Sequence, residues 1–144
     1  VDVQEIRKIE TYLKRLFGNP RIRVSPQKSD SAKVYVGEEN IGELSVDDED
    51  EERSYNLRME IPLGEATEIQ DVKRLDVYLK RKFDNERVRV VGRPKKQDSV
   101  EAYVGEEFIG VLFIDDEKKG GRSYIFEMPI LGIDLESDTQ SSHF

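Results

Sequence analysis

Arg87, Arg89, Arg93, Lys95 and Lys96 follow closely on Lys80-Arg81-Lys82 and form the densest gathering of cations in the sequence. Arg87 and Arg89 alternate with Val88 and Val90, which puts both on the outer side of one strand. With the loop from Arg93 to Lys96, such a set can contact phosphates. Lys80 to Lys82 need no ligand, because cations at the end of a helix are favoured by its dipole alone. The opposite charge gathers in Asp47-Asp48-Glu49-Asp50-Glu51-Glu52. A calcium loop needs alternating ligands and a central glycine, and this run has neither, so it reads as a solvated hairpin loop.

Catalytic chemistry finds little to work with. The one histidine, His143, lies next to the last residue, where nothing rigid orients a base. There are no cysteines, so disulfides, thiolate metal sites and cysteine nucleophiles are excluded. Gly37, Gly42, Gly105 and Gly110 lack the strand-to-helix setting of a phosphate loop and read as turn and bulge residues. No catalytic, cofactor-binding or metal-binding residue is expected, and the chain reads as no enzyme.

The elements that carry these residues occur twice. Tyr103-Val104-Gly105-Glu106-Glu107-Phe108-Ile109-Gly110 has a near-copy in Tyr35-Val36-Gly37-Glu38-Glu39-Asn40-Ile41-Gly42. Tyr12 matches Tyr78, Tyr35 matches Tyr103 and Tyr55 matches Tyr124, at offsets of 66, 68 and 69. The growing offset puts the extra residues in loops, where length changes are tolerated. Such a pattern is the mark of a duplication.

Each copy reads as a helix followed by four strands. Asp2 and Glu5 form a capping box, Ile6, Ile9, Leu13, Leu16 and Phe17 make one apolar stripe, and Gly18 ends a helix that spans Val3 to Phe17. Strands are expected at 21–24, 32–36, 41–46 and 54–61, with a polar loop from Ser25 to Ser31 and Pro62 ending the last. Alternation slips at Gly42-Glu43, as at a bulge or a close backbone approach. In the second copy Thr67 caps a helix carrying Ile69, Val72, Leu75, Leu79 and Phe83, and Asp84-Asn85 stops it. Strands follow at 87–91, 100–104, 108–114 and 123–130, with Ile130 to Leu135 as an extension.

The fold class is therefore α+β: two tandem helix-plus-four-stranded antiparallel meander units, packed as a pseudo-two-fold pair. The expected domains are 1–66 and 67–136, with 137–144 a flexible tail. The link Gly64-Glu65-Ala66 reaches only about 10 Å, so the copies are neighbours. Pairing within the chain shields strand edges that would otherwise recruit other molecules, and a monomeric intrachain pseudo-dimer is expected.

Arg93-Pro94-Lys95-Lys96, Asp98-Ser99, Tyr103 to Gly110 and Arg122-Ser123-Tyr124 resemble a family of short alphaproteobacterial proteins known only as a domain of unknown function. The resemblance covers the second copy nearly end to end and the first more loosely. Ser25-Pro26-Gln27-Lys28 departs from the basic loop, and Asn40 stands where Phe108 is aromatic. Members of that family are single units, so the tandem is itself a departure. The resemblance implies a small cytoplasmic bacterial protein and implies no activity.

Charge bounds the partners. The formal net charge is −8; the part before Thr67 carries 10 basic and 15 acidic residues, the rest 13 and 16. Neither part is basic, which opposes broad binding to nucleic acid or anionic lipid. No apolar run nears the roughly 20 residues of a membrane helix, and no signal-peptide pattern opens the sequence. The expectation is an acidic, cytoplasmic, non-catalytic module that binds an unidentified protein partner, with no cofactor and no membrane. The second copy is the expected binding unit, through Arg89, Arg93, Lys95, Lys96 and Phe108. The alternative is a nucleic-acid-binding protein using the same basic strand and loop.

Overall fold

The computed structural model describes residues 2–47, 53–64, 68–93, 96–115, 122–132 and 134–135. The elements are α1 (Val3–Phe17), β1 (Ile22–Lys28), β2 (Ser31–Val36), β3 (Glu39–Asp47), β4 (Ser54–Gly64), α2 (Glu68–Lys82), β5 (Val88–Arg93), β6 (Lys96–Val104), β7 (Glu107–Asp115) and β8 (Arg122–Leu131). Helix then four strands, twice over, is the expected α+β order. The strands belong to one antiparallel sheet, hydrogen-bonded in the order β1-β2-β3-β4-β8-β7-β6-β5. The acidic residues 48–52, the Thr67 cap, Lys95 and the tail 137–144 lie outside the described residues.

The chain forms two compact units, Val1–Leu57 with Pro129–Phe144, and Arg58–Met128. Each therefore holds one helix, three whole strands and parts of both β4 and β8. In the first unit, α1 starts with the Asp2–Glu5 capping box and stops at Gly18. Ile6, Ile9, Tyr12, Leu13, Leu16 and Phe17 are buried, on the stripe that the spacing predicts. Ile22, Val24, Ala32, Val34, Val36, Ile41, Leu44, Tyr55 and Leu57 complete that core. The first unit also ties the end of β8 to the start of β4, since the Gly132 N–H donates to the Arg53 carbonyl at 3.1 Å.

In the second unit, Leu75, Leu79 and Phe83 of α2 and its last turn lie over a core made by Val88, Val90, Val100, Ala102, Val104, Ile109, Leu112, Phe126 and Met128. Asp84 takes the left-handed conformation (φ 50°) that Gly18 takes after α1. The Asn85 N–H then donates to the Lys80 carbonyl at 3.0 Å, as Asn19 does to Lys14 at 3.1 Å. Two differently spelled stops thus make the same turn.

Register explains the slipped alternation. Val34 pairs with Gly42 but Tyr35 with Asn40, so Ile41 is an extra residue. Ala102 pairs with Gly110 and Tyr103 with Phe108, leaving Ile109 extra in the same way. The bulge turns Ile41 and Leu44, three apart, toward one core. At Gly110 a Cβ would stand 2.3 Å from the Glu127 carbonyl oxygen, so the glycine there serves a close backbone approach.

Some strands run longer than the sequence reading. β1 continues through Pro26 to Lys28, where a loop was expected, and β6 begins at Lys96. β4 continues through Pro62, which was expected to end it, whereas β8 ends at Leu131, short of the expected extension to Leu135. Proline is accepted where its missing N–H faces no ladder partner. In β1 the N–H groups of Ile22 and Val24 share the outward side with Pro26, which therefore blunts a free edge. The matching free edge of β5 is closed differently: the Val90 N–H donates to the Asp76 carboxylate of α2 at 2.8 Å.

Candidate functional site

Asn19-Pro20-Arg21-Ile22-Arg23 and Asn85-Glu86-Arg87-Val88-Arg89 build one device twice. The Asn19 side chain accepts from the Arg21 N–H at 2.9 Å, and Asn85 from Arg87 at 2.8 Å. The N–H of Gly37 donates to the Arg21 carbonyl and that of Gly105 to the Arg87 carbonyl. Both glycines have positive φ, 63° and 61°, and an added Cβ would meet a guanidinium nitrogen of Arg21 or Arg87 at 2.4 or 2.6 Å. Arg23 Nε and a terminal nitrogen donate to the Gly37 carbonyl at 3.1 and 3.0 Å, and Arg89 Nε donates to Gly105 at 2.9 Å. Each guanidinium carbon lies 5.0 Å from a tyrosine centroid, Tyr35 or Tyr103.

Arg89 is thus engaged with the hairpin turn in the second repeat as Arg23 is in the first. Of the other expected contact residues, Lys95 and the side chains of Arg93 and Lys96 lie outside the described residues. Phe108 is 49% exposed and meets Tyr103 edge to face, the centroids 5.7 Å apart. Glu101 accepts from the Tyr103 hydroxyl at 3.2 Å. Desolvation first, and the Glu101 carboxylate second, raise the Tyr103 pKa.

Phe108 does not stand alone. Cross-strand partners share a sheet face, so the register Arg89–Tyr103–Phe108, Val91–Glu101–Val111–Glu127 and Ser99–Phe113–Ile125 lays out one surface. It is the face turned away from α2, since Val88, Val90 and Gly92 of β5 point the other way and Gly92 faces Val72 of the helix. Phe108, Val111 and Phe113 make an apolar ridge along β7, with Tyr103 and Ile125 beside it and Val91 one strand further out on β5. Ile125 is only 2% exposed, while Phe113, Val111 and Val91 are half-buried.

The same positions in the first repeat are polar. Asn40 stands for Phe108, Glu43 for Val111, Ser45 for Phe113, Asn56 for Ile125 and Ser25 for Val91. Their register agrees, with Tyr35 opposite Asn40, Lys33 opposite Glu43 and Ser31 opposite Ser45. Asn40 there accepts from the Gly42 N–H at 3.2 Å, a bond that phenylalanine gives up. Two repeats with one backbone plan therefore carry different outer faces, one solvated and one apolar.

The sequence pattern of the DUF3126 family, a protein of unknown function, matches residues 5–63 and again 71–134. The chain belongs to the DUF3126 family. Each match covers one helix and its four strands, so the family domain is the repeated element and this chain carries it in tandem. No curated protein and no solved structure matches it. Among the described residues, no helix is long and apolar enough to cross a membrane. Among the described residues, no group of three or more histidine or acidic side chains is placed to hold a metal ion.

Sequence reasoning found Phe108 but missed Val111, Phe113 and Ile125. The signal was present in the two DUF3126 domains themselves: once they are aligned, the four outer positions 40, 43, 45 and 56 change from polar to apolar together.

Proposed function

We propose that the chain is a non-catalytic protein-interaction module that binds its partner on the second repeat, across the face formed by Tyr103, Phe108, Val111 and Phe113. The observation that carries this reading is the concerted change from Asn40, Glu43 and Ser45 to Phe108, Val111 and Phe113. A core needs none of these substitutions, since the first repeat folds the same way without them. An apolar patch rimmed by polar groups marks an interaction surface, and aromatic anchors near its centre carry most of the binding energy. The same proposal takes the setting to be a bacterial cytoplasm, as the family resemblance implies.

Arg89, the cation a nucleic-acid reading needs most, spends its guanidinium on Gly105 and Tyr103, as Arg23 does on Gly37 and Tyr35. That argues for a structural duty shared by both repeats.

The test is affinity capture of a protein partner from native lysate, with and without nuclease, by the intact chain and by Val111→Lys. A partner retained after nuclease by the wild type and lost by the variant supports the reading. Capture that nuclease abolishes, or that Val111→Lys leaves unchanged, defeats it.

A further inference from the structure

We propose that the partner presents an amphipathic helix whose apolar stripe is flanked on both sides by lysine or arginine, and that this helix lies along β7. The inference rests on the interaction reading above and adds the chemistry of the partner.

Glu101, Val111 and Glu127 stand in one register row across β6, β7 and β8. Two strand spacings separate the carboxylate-bearing strands, about 10 Å. The apolar ridge is therefore bracketed at its middle by a negative charge on each side. The matching residues of the first repeat are Lys33, Glu43 and Arg58. There a cation stands opposite a carboxylate, Lys33 to Glu43. In the second repeat the charges at those places are reversed to Glu101 and Glu127, and the residue between them is apolar. Among the described residues no cation pairs with Glu101. Glu127 holds Arg58 at 3.2 Å, but that arginine side chain is 55% exposed, and exposed pairs of this kind contribute little and exchange readily.

Dimensions select the element. A helix is about 10–12 Å across, the width between β6 and β8. β7 has nine residues, which span about 30 Å, the length of a helix of about 20 residues. The opposite face of this sheet already carries an amphipathic helix, α2, which packs against β5. A second copy of this chain suits the face less well, because it would set Glu101 and Glu127 against a molecule that is itself at −8. Single-stranded nucleic acid would find rings for stacking in Tyr103, Phe108 and Phe113, but its phosphates would meet both carboxylates.

The probe is a displayed library of helical peptides of about 20 residues. Leucines are fixed along one stripe, and the flanking positions are free to be lysine, glutamate or serine. Selection is against the full chain at physiological salt. The expected survivors carry lysine on both flanks, bind less tightly as salt rises, and lose binding to Val111→Lys. Glu101→Lys/Glu127→Lys is expected to reverse the choice, preferring glutamate-flanked peptides by at least about tenfold.

Survivors flanked by glutamate or serine, survivors indifferent to Val111→Lys, or no survivors overturn the proposal. So does a wild-type dimer that Val111→Lys splits into monomers, or polyuridylate binding that Phe108→Ala and Phe113→Ala each abolish. If lysate capture depends on Val111 and yet no lysine-flanked helix is selected, the partner chemistry fails and the interaction reading stands. If capture ignores Val111, the interaction reading itself fails.

Discussion

Arg89 lies with its guanidinium carbon 5.0 Å from the centroid of the Tyr103 ring, and its Nε donates to the carbonyl of Gly105, two residues beyond that tyrosine. One side chain thereby fixes the outer strand β5 to the end of β6 and to the turn that follows. Arg89→Ala is expected to lower Tm by about 2–4 °C, a loss typical of a half-exposed cation–ring contact with one hydrogen bond. Arg89→Lys should recover only part of it, because an ammonium cannot stack and donate in the same plane. Arg23→Ala should cost as much, since Arg23 makes the same contacts. Thermal melts of the three variants decide it. An arginine whose loss leaves Tm unchanged would be free for a ligand after all.

Much of this was legible because duplication lets each repeat check the other. The helix spans, the Asp2–Glu5 box and the two helix stops follow from local chemistry that needs no distant partner. β1 beyond Val24 was read as a loop because Ser25-Pro26-Gln27-Lys28 shows no alternation. On a free edge, both sides of such a strand meet water and the two-residue pattern fades. Arg89 was legible as an outward cation, but its partners were not. A contact with Tyr103 and Gly105 joins residues far apart in sequence and depends on register. The ridge on β7 was hidden for the opposite reason. Val111 and Phe113 look like core in an apolar strand, and only the pairing of Val111 with Glu101 and Glu127 shows that they face away from α2.

Asp76 closes the free edge of β5, accepting the Val90 N–H at 2.8 Å through one oxygen and pairing with Lys80 through the other. Asp76→Ala is expected to destabilise the protein by about 1–2 kcal/mol, because a strand N–H loses its acceptor. Asp76→Asn keeps a carbonyl oxygen for Val90 and should cost less than half as much. Urea unfolding ranks the two variants. Sedimentation should also show concentration-dependent association for the alanine variant, whose edge is unguarded. Equal losses in both variants would mean that the Lys80 pair, and not the edge bond, matters.

Glu5 and Tyr55 tie α1 to β4 through a hydroxyl-to-carboxylate hydrogen bond of 2.5 Å, with Arg53 Nε on the same carboxylate oxygen at 2.6 Å. Burial pushes Tyr55 up to about 12, and the Glu5 carboxylate adds to it. For Glu5, desolvation raises the pKa, but the bonds from Tyr55 and the Asp2 N–H and the Arg53 charge outweigh it, and the carboxyl lies below its ordinary value. The signs follow from linkage. The tyrosine, raised in the folded state, contributes stability that is intact below about pH 10 and lost as pH climbs through about 12. The glutamate, lowered in the folded state, contributes stability that is present above about pH 4 and lost as pH falls through its folded value. Tyr55→Phe should therefore flatten the alkaline limb of a stability–pH profile, and Glu5→Gln should flatten the acid limb. Profiles parallel to wild type in both variants would show that the bond contributes nothing.

Gly110 tests the bulge. Its absent Cβ would lie 2.3 Å from the Glu127 carbonyl oxygen and 3.0 Å from a ring carbon of Phe126. Neither neighbour is the loose end of a flexible chain. Gly110→Ala should force β7 from β8 and cost about 1–3 kcal/mol, as overpacking in a core does. Gly92→Ala is the control, since its Cβ would meet only Val72 at an ordinary 3.8 Å. Chemical denaturation of both variants gives the comparison. Equal stability would show that β7 yields to the methyl without cost.

Val111 is where stability and recognition are expected to part. It stands opposite Glu101 on one side and Glu127 on the other. A cation at that place would face two carboxylates at cross-strand distance, and opposite charges so placed contribute about 0.2–1 kcal/mol per pair. The first repeat already sets a lysine opposite a carboxylate at the matching place, Lys33 to Glu43. Val111→Lys should therefore melt at or slightly above the wild-type temperature while losing the partner that wild type captures. Such a gain at the expense of binding is what a surface kept apolar for function predicts. Were the valine there for the fold instead, the lysine variant would melt well below wild type, and any lost capture would be explained by unfolding. Melting and capture measured on the same preparation separate the two, because only a recognition role lets Tm hold while binding disappears.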